Sequence, residues 1–280
     1  MATTAVDPHT PAPSSPAFMV SSFWTNRGLI QQMITRELQL RYRGSILGVT
    51  WAFLHPCIIL TAYTFAFNVV FRAQWSATQT TSSDFALNMF VGIIIYGFFA
   101  ECIGRAPTLI TSNVTYVKKV VFPLQILAFS TSAAALVQLM IGLGIWIAVA
   151  VLIRGTLFPT VLIVPVLVLP ILLYTIGLIW LFSALGVFVR DMSQGINVIT
   201  MVAMFVSPIF YPTERLPPAM QPWMSLNPLA NGIESVRGAV LQGETPGLAM
   251  WGGHLLCGFA VASIGFLWFQ KTRRGFADVI

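Results

Sequence analysis

The sequence predicts an all-α integral membrane protein with six transmembrane helices per subunit. It also predicts an N-terminal amphipathic interface helix and external re-entrant helices between spans five and six. Three observations carry this expectation. Only 9% of the 280 residues are charged and 56% are hydrophobic, whereas a typical soluble domain carries about 25% charged residues. Six stretches are long and apolar enough to cross about 30 Å of hydrocarbon, which takes about 20 helical residues. The basic residues lie in short segments between those stretches, with a strong bias to one side.

Residues 1–22 are rich in Pro, Thr, Ser and Ala. They lack the basic start and apolar core of a signal peptide and are expected to form a disordered tail. Residues 23–50 follow as the interface segment. Within it, Leu29, Ile30, Met33, Ile34 and Leu38 share one helical face, while Arg27, Arg36 and Arg41 lie mostly off it. Such a helix lies in the membrane surface.

The transmembrane domain is expected over residues 51–280. Its spans run from Trp51 to Phe71, Phe85 to Gly104, Phe122 to Ile153, Phe158 to Val189, Met192 to Tyr211 and Leu248 to Phe269. The third and fourth are longer than one crossing needs and must tilt, kink or project. Pro165 and Pro170 predict a bend in the fourth.

With the N-terminus placed inside, eleven of the 15 basic residues fall on the inner side and four, Arg72, Arg154, Arg215 and Arg237, on the outer. Both termini are therefore expected in the cytoplasm. The net charge of +6 is read as topological, because nucleic-acid binding needs basic residues clustered on a soluble face. The outer connection, 212–247, holds six prolines together with Trp223, Met224, Leu226, Leu229 and Ile233. That is too apolar for a free loop and predicts short helices buried against protein in the outer leaflet.

The sequence argues against chemistry in this chain. None of its three lysines, Lys118, Lys119 and Lys271, follows a glycine, so no phosphate-binding loop exists. The three histidines offer neither a zinc motif nor a plausible hydrolase dyad, and Cys57, Cys102 and Cys257 sit apart inside apolar runs. Glu101 has Arg105 four residues on, the spacing of a helical ion pair. A proton- or ion-coupled carrier would place unpaired acids near the midplane instead.

Four motifs supply a resemblance. The run Arg41-Tyr42-Arg43-Gly44-Ser45-Ile46-Leu47-Gly48-Val49-Thr50-Trp51, followed by Pro56, resembles the start of the polysaccharide-exporting ABC transporter permeases. These are the O-antigen, capsule and teichoic acid exporters of the ABC-2 class. Asn113 to Pro123, Arg190-Asp191, and Ser207-Pro208 with Asn227-Pro228 and Arg237 follow in the same order, so the resemblance spans residues 25–270.

The resemblance implies a homodimer of six-helix subunits above two copies of a cytoplasmic ABC ATPase. It also implies a channel at the dimer interface for a lipid-linked glycan. ATP and magnesium would belong to the partner ATPase, and this chain would hold no cofactor. Other ABC-2 substrates (capsule, teichoic acid, a drug or a lipid) stay open. So, from other classes, do an ATP-independent channel or carrier and a membrane-embedded enzyme.

Candidate roles follow from this picture. Arg36, Glu37, Arg41 and Arg43 are expected to meet the ATPase or lipid headgroups. Asn113, Tyr116, Lys118 and Lys119 are read as a handle that couples it to the channel, with Glu101 and Arg105 beside it at the cytoplasmic gate. The alternative for Lys118 and Lys119 is a purely topogenic charge. Sugars present hydroxyl edges and apolar ring faces, so small polar and aromatic residues suit a lining. Thr61, Tyr63, Thr64, Phe67 and Asn68 in the first span, Tyr96 and Phe99 in the second, and Asn197, Thr200, Met204 and Ser207 in the fifth are the candidates. Ordinary helix packing would use the same residue types. Tyr211, Trp223, Asn227 and Arg237 are expected at an external gate or as interfacial anchors.

Overall fold

The computed structural model describes residues 15–70, 82–118 and 122–280. Among them all regular structure is helical, with no strand. Among the described residues five helices are long and apolar enough to cross a membrane: Gly48–Phe67, Ser83–Thr108, Ile126–Arg154, Pro159–Phe188 and Leu248–Gly275.

Chain order begins with α1 (Pro16–Thr25) and α2 (Arg27–Tyr42). Helix therefore begins inside the stretch that composition assigns to a tail. Ser15 accepts from the Phe18 amide and Pro16 sits in the first turn, so the helix start is capped. Phe18 then rests near Phe266, with ring centroids 6.2 Å apart. In α2, Ile30 is buried while Leu29, Met33, Ile34 and Leu38 are half-buried against the bundle. The apolar face read from the sequence is the face that packs.

Helix α3 (Trp51–Thr64) follows and carries Pro56 inside it. Proline has no N–H, so the carbonyl of Ala52, four residues earlier, loses its helical partner. Gln138 from the third span donates to that carbonyl at 3.1 Å. Next come α4 (Ser82–Arg105), the short turn α5 (Val114–Val117) and α6 (Ile126–Arg154). The fourth apolar stretch is interrupted, as its prolines predict. A 3₁₀ turn at Pro159–Ile163 and the single turn α7 (Val164–Leu167) precede α8 (Leu169–Phe188).

Helix α9 (Met192–Val206) is 15 residues long. At 1.5 Å per residue that is about 22 Å, short of the ~30 Å hydrocarbon core. The expected run to Tyr211 stops early because Ser207 precedes Pro208 and is extended, with ψ 149°. Residues 212–247 then form α10 (Gln221–Leu226) and α11 (Pro228–Arg237), and α12 (Leu248–Thr272) and the terminal turn α13 (Phe276–Val279) complete the chain. Leu229, Ile233 and Val236 of α11 are buried, and the helix packs against α4 and α8.

The tightest packing joins α8 and α12. A Cβ added to Gly177 would lie 2.6 Å from the Val261 carbonyl oxygen, one on Gly258 2.9 Å from that of Pro170, and one on Gly265 would overlap Gly177 itself. Close backbone approach through small residues is how helices associate where water gives no hydrophobic drive. Trp180 fills the centre, edge-on to Phe129 at 5.1 Å and to Phe266 at 5.0 Å. Its indole donates to the Gln125 carbonyl at 3.0 Å.

Gly265→Leu should overpack this contact and cost about 1–3 kcal/mol. Gly253→Leu, on the same helix but facing open space, should leave thermal unfolding unchanged. Equal melting shifts for the two variants would contradict the close approach.

Candidate functional site

One end of the bundle carries a charge network assembled from α2 and α4. Arg41 pairs with Glu101, with a second contact of 3.3 Å from Nη1 to Oε2. Arg105 lies 2.5 Å from Glu37 and 3.6 Å from Glu101. The helical pair expected from spacing alone therefore exists as half of an alternating four-residue ring. Glu37, Arg41 and Glu101 are each at most a quarter exposed. Burial pushes the Glu37 carboxyl above its ordinary range, with Arg105 and Arg41 opposing the shift.

The connection after α4 joins the same cluster. Arg36 hydrogen-bonds the Tyr116 hydroxyl and sits 5.8 Å from its ring centre. Tyr116 in turn stacks on Phe122 at 4.3 Å. Asn113 donates to the Leu109 carbonyl at 2.9 Å, which tightens the turn out of α4. A polar hollow of about 460 Å³ lies among Arg36, Glu37, Arg41, Arg105 and Asn113. Lys118 is exposed beside it, and Lys119 lies outside the described residues. Arg43 is exposed just past α2, apart from the ring. These contacts tie α2 to the C-terminal end of α4 and to residues 113–117.

The first- and fifth-span stripes divide between packing and exposure. Tyr63 and Phe67 join Phe85 and Phe210 in an aromatic group, with centroids 5.4–5.7 Å apart for Phe67–Phe210, Phe67–Phe85 and Tyr63–Phe210. Thr61 is exposed and donates to the Cys57 carbonyl at 2.8 Å, and Thr64 is half-buried. The side chain of Asn68 lies outside the described residues. Tyr96 donates to the Thr200 carbonyl at 2.9 Å and so ties α4 to α9. Phe99 belongs to the core of the subunit. On α9, Asn197 is exposed, Thr200 and Met204 are half-buried, and Ser207 is fully buried at its end.

The two helices share one property. Only 6% of the apolar window of the first long helix is buried inside the subunit, against 67% for the second. Trp51, Phe53, Ile58 and Phe65 face outward, and on α9 so do Val198, Ile199, Met201, Val202 and Phe205.

The opposite end is held by Arg237, which is 2% exposed. Its guanidinium donates to the Asn88 carbonyl at 3.1 and 3.2 Å and to the Pro208 carbonyl at 3.0 Å, and pairs with Glu234 at 2.9 Å. It thus clamps α11 to α4 and to the end of α9. Asn227 caps α11, accepting from the amides of Leu229 and Ala230. Tyr211 donates to the Phe205 and Val206 carbonyls at the end of α9, and Trp223 is exposed.

Two polar ties were not legible in the sequence. Arg154 pairs with Asp84 at 2.6 Å and donates to the Leu241 carbonyl at 3.1 Å. Gln125 donates to Ser22 at 3.0 Å and accepts from Arg273 at 3.2 Å, which links α1 to the end of α12. Only the position of each residue at a span end gave a signal, because the partners are far apart in the chain.

Against known proteins, a family model described as ABC-2 type transporter matches residues 28–241. The chain is 27% identical over 271 residues to the O-antigen export system permease protein RfbA of Myxococcus xanthus, covering 94% of this chain and 99% of that one. It is 23% identical over 259 residues to a Klebsiella pneumoniae protein of the same name, covering 90% and 95%.

Two measurements check the geometry. Glu37 takes up a proton more readily folded than unfolded, so it costs stability at neutral pH, and the cost is relieved as pH falls through its raised value. Relative to Glu37→Gln, the wild type should gain melting temperature from neutrality down towards the ordinary glutamate range. A flat or opposite difference contradicts the assigned burial. Arg237→Leu should cost about 1–3 kcal/mol for each buried carbonyl left open. Amide exchange across 228–237 should then speed up relative to α12, and unchanged protection there would remove the clamp.

Proposed function

Because the chain belongs to the ABC-2 type transporter family, we propose that it is the transmembrane subunit of an ATP-driven polysaccharide exporter. It moves a lipid-linked glycan, an O-antigen by the closest fit, from the cytoplasmic side across the inner membrane. The observation that carries this reading is the end-to-end similarity to permeases named for O-antigen export. The sequence adds the missing half of the argument: with no lysine placed for a phosphate loop, the energy comes from a partner.

In this reading α9 is a short sixth crossing alongside the five long helices, both termini are cytoplasmic, and α10 and α11 dip into the outer leaflet. Two copies of the subunit pair, and two ATPase subunits bind below them. The outward apolar faces of the first long helix and α9 support the pairing, since a subunit that buries so little of its first span has surface to give to a second copy. Thr61, Thr64 and Asn197 then border the glycan path, and the Tyr63–Phe67 aromatic group stands near its outer end.

The charge ring gives the ATPase a handle. A push on residues 113–118 reaches α4 through the turn at Asn113, and reaches α2 through Arg36 and Tyr116. Ion pairs that are partly shielded from water resist such displacement better than fully exposed ones. The same ring keeps the interface helix from sliding independently of the second span.

Co-expression with a cognate ABC ATPase should yield a complex whose ATP hydrolysis rises when lipid-linked glycan is supplied. Lys118→Glu with Lys119→Glu should lower export by about tenfold or more, equivalent to about 1.4 kcal/mol of coupling, while the complex still assembles. Unchanged export in the double variant would remove the handle, and export without any ATPase would remove the exporter class.

A further inference from the structure

A separate hollow of about 340 Å³ lies on the outer flank of α11, remote from the charge ring. The Thr213–Arg215 turn, α10, α11 and residues 238–246 enclose it, and the start of α12 closes one side. Its volume is at the lower end of the range for small-molecule sites.

Two side chains in its wall lack an explanation within the fold. Asn231 and Ser235 are 6% and 7% exposed, stand one helical turn apart on α11, and both line the hollow. Neither side chain has a hydrogen-bond partner among the described residues. Their polar atoms open onto the hollow and are not sealed into the core, so they are placed to pair with what enters it. Glu234 also reaches the wall but is already engaged, by Thr213 at 3.0 Å and by Arg237 at 2.9 Å. It holds the wall in place.

The rest of the lining selects the ligand. Gln221 and Gln242 contribute amides, Glu214 and Glu244 contribute carboxylates, and methionines flank them. No lysine or arginine lines the hollow, so a phosphate or uronic acid would meet only repulsion. Among the described residues no three acidic, histidine or cysteine side chains come close enough to hold a metal ion. What remains is a ligand with many hydroxyls and no charge. Amides both donate to and accept from hydroxyls, carboxylates accept from them, and the apolar face of a pyranose ring suits a thioether surface.

We propose that this hollow binds an uncharged sugar unit at the outer face, using Asn231 and Ser235 as its inner contacts and Gln221, Gln242, Glu214 and Glu244 as its rim. The site rests on the exporter reading. There it holds a segment of glycan after exit, beside the path rather than within it, and so disfavours backsliding between strokes.

The test uses the full chain in lipid nanodiscs, titrated with glucose, galactose, mannose, N-acetylglucosamine and their short oligomers and followed by saturation-transfer NMR. Glucuronic acid and calcium chloride serve as comparison ligands. Saturable binding of at least one neutral sugar is expected, with weaker binding of glucuronic acid. Asn231→Leu should weaken it at least tenfold. Gln242→Ala, at the exposed rim, should weaken it severalfold and covers the case in which the first variant misfolds. No saturable binding by any neutral sugar, preference for calcium or glucuronic acid, or binding indifferent to both variants would overturn the site. Export by the ATPase complex is followed in parallel. Export without outer sugar binding removes this site and leaves the exporter, whereas sugar binding without export removes the exporter and leaves the site.

Discussion

A backbone carbonyl in hydrocarbon has no water to turn to, and most of this molecule follows from that constraint. It makes the apolar stretches helical, and it makes every break in a helix need a donor from elsewhere. Pro56 frees the Ala52 carbonyl, and Gln138 answers it from another span. Arg237 donates to the carbonyls of Asn88 and Pro208, the latter just past the stop in α9. Polar side chains that look misplaced in an oily sequence are therefore the devices by which the helices are held in register. Their number is small because each polar group carried into the membrane is itself costly unless satisfied.

The two ends of the bundle use different physics. At the charged end, Glu37, Arg41, Glu101 and Arg105 alternate in sign, partly shielded from water. At the other end a single buried guanidinium spreads its donors over several carbonyls, which suits the planar, five-donor arginine and would not suit lysine. One end is thereby a set of ion pairs joining two helices, and the other is a clamp built on a single buried cation. Between them α8 and α12 approach through glycines so closely that their backbones cannot slide without overlap.

Burial is distributed unevenly, and the unevenness has functional content. The second long helix is the core of the subunit, while the first lies almost wholly outside it. The apolar faces of the first long helix and α9 are available to lipid or to another subunit, and a glycan path between two copies would put the least buried helices nearest the cargo. The same helices carry the exposed small polar residues Thr61 and Asn197.

Composition and the period of apolar residues determined, without any structure, that the chain is helical, that it belongs in a bilayer, and where its long helices run. These properties are local, since a helix in hydrocarbon satisfies its backbone within its own segment. The tertiary structure alone decided which polar residues meet. Arg41 finds Glu101 sixty residues away, Arg36 finds Tyr116, and Arg237, expected at an external gate or as an anchor, is buried against the carbonyls of Asn88 and Pro208. It also decided that α9 ends at Val206 and that α1 begins at Pro16. Pairings of this kind depend on how helices are rotated and stacked, and a one-dimensional pattern of apolar residues carries no record of that rotation when nearly every face is apolar.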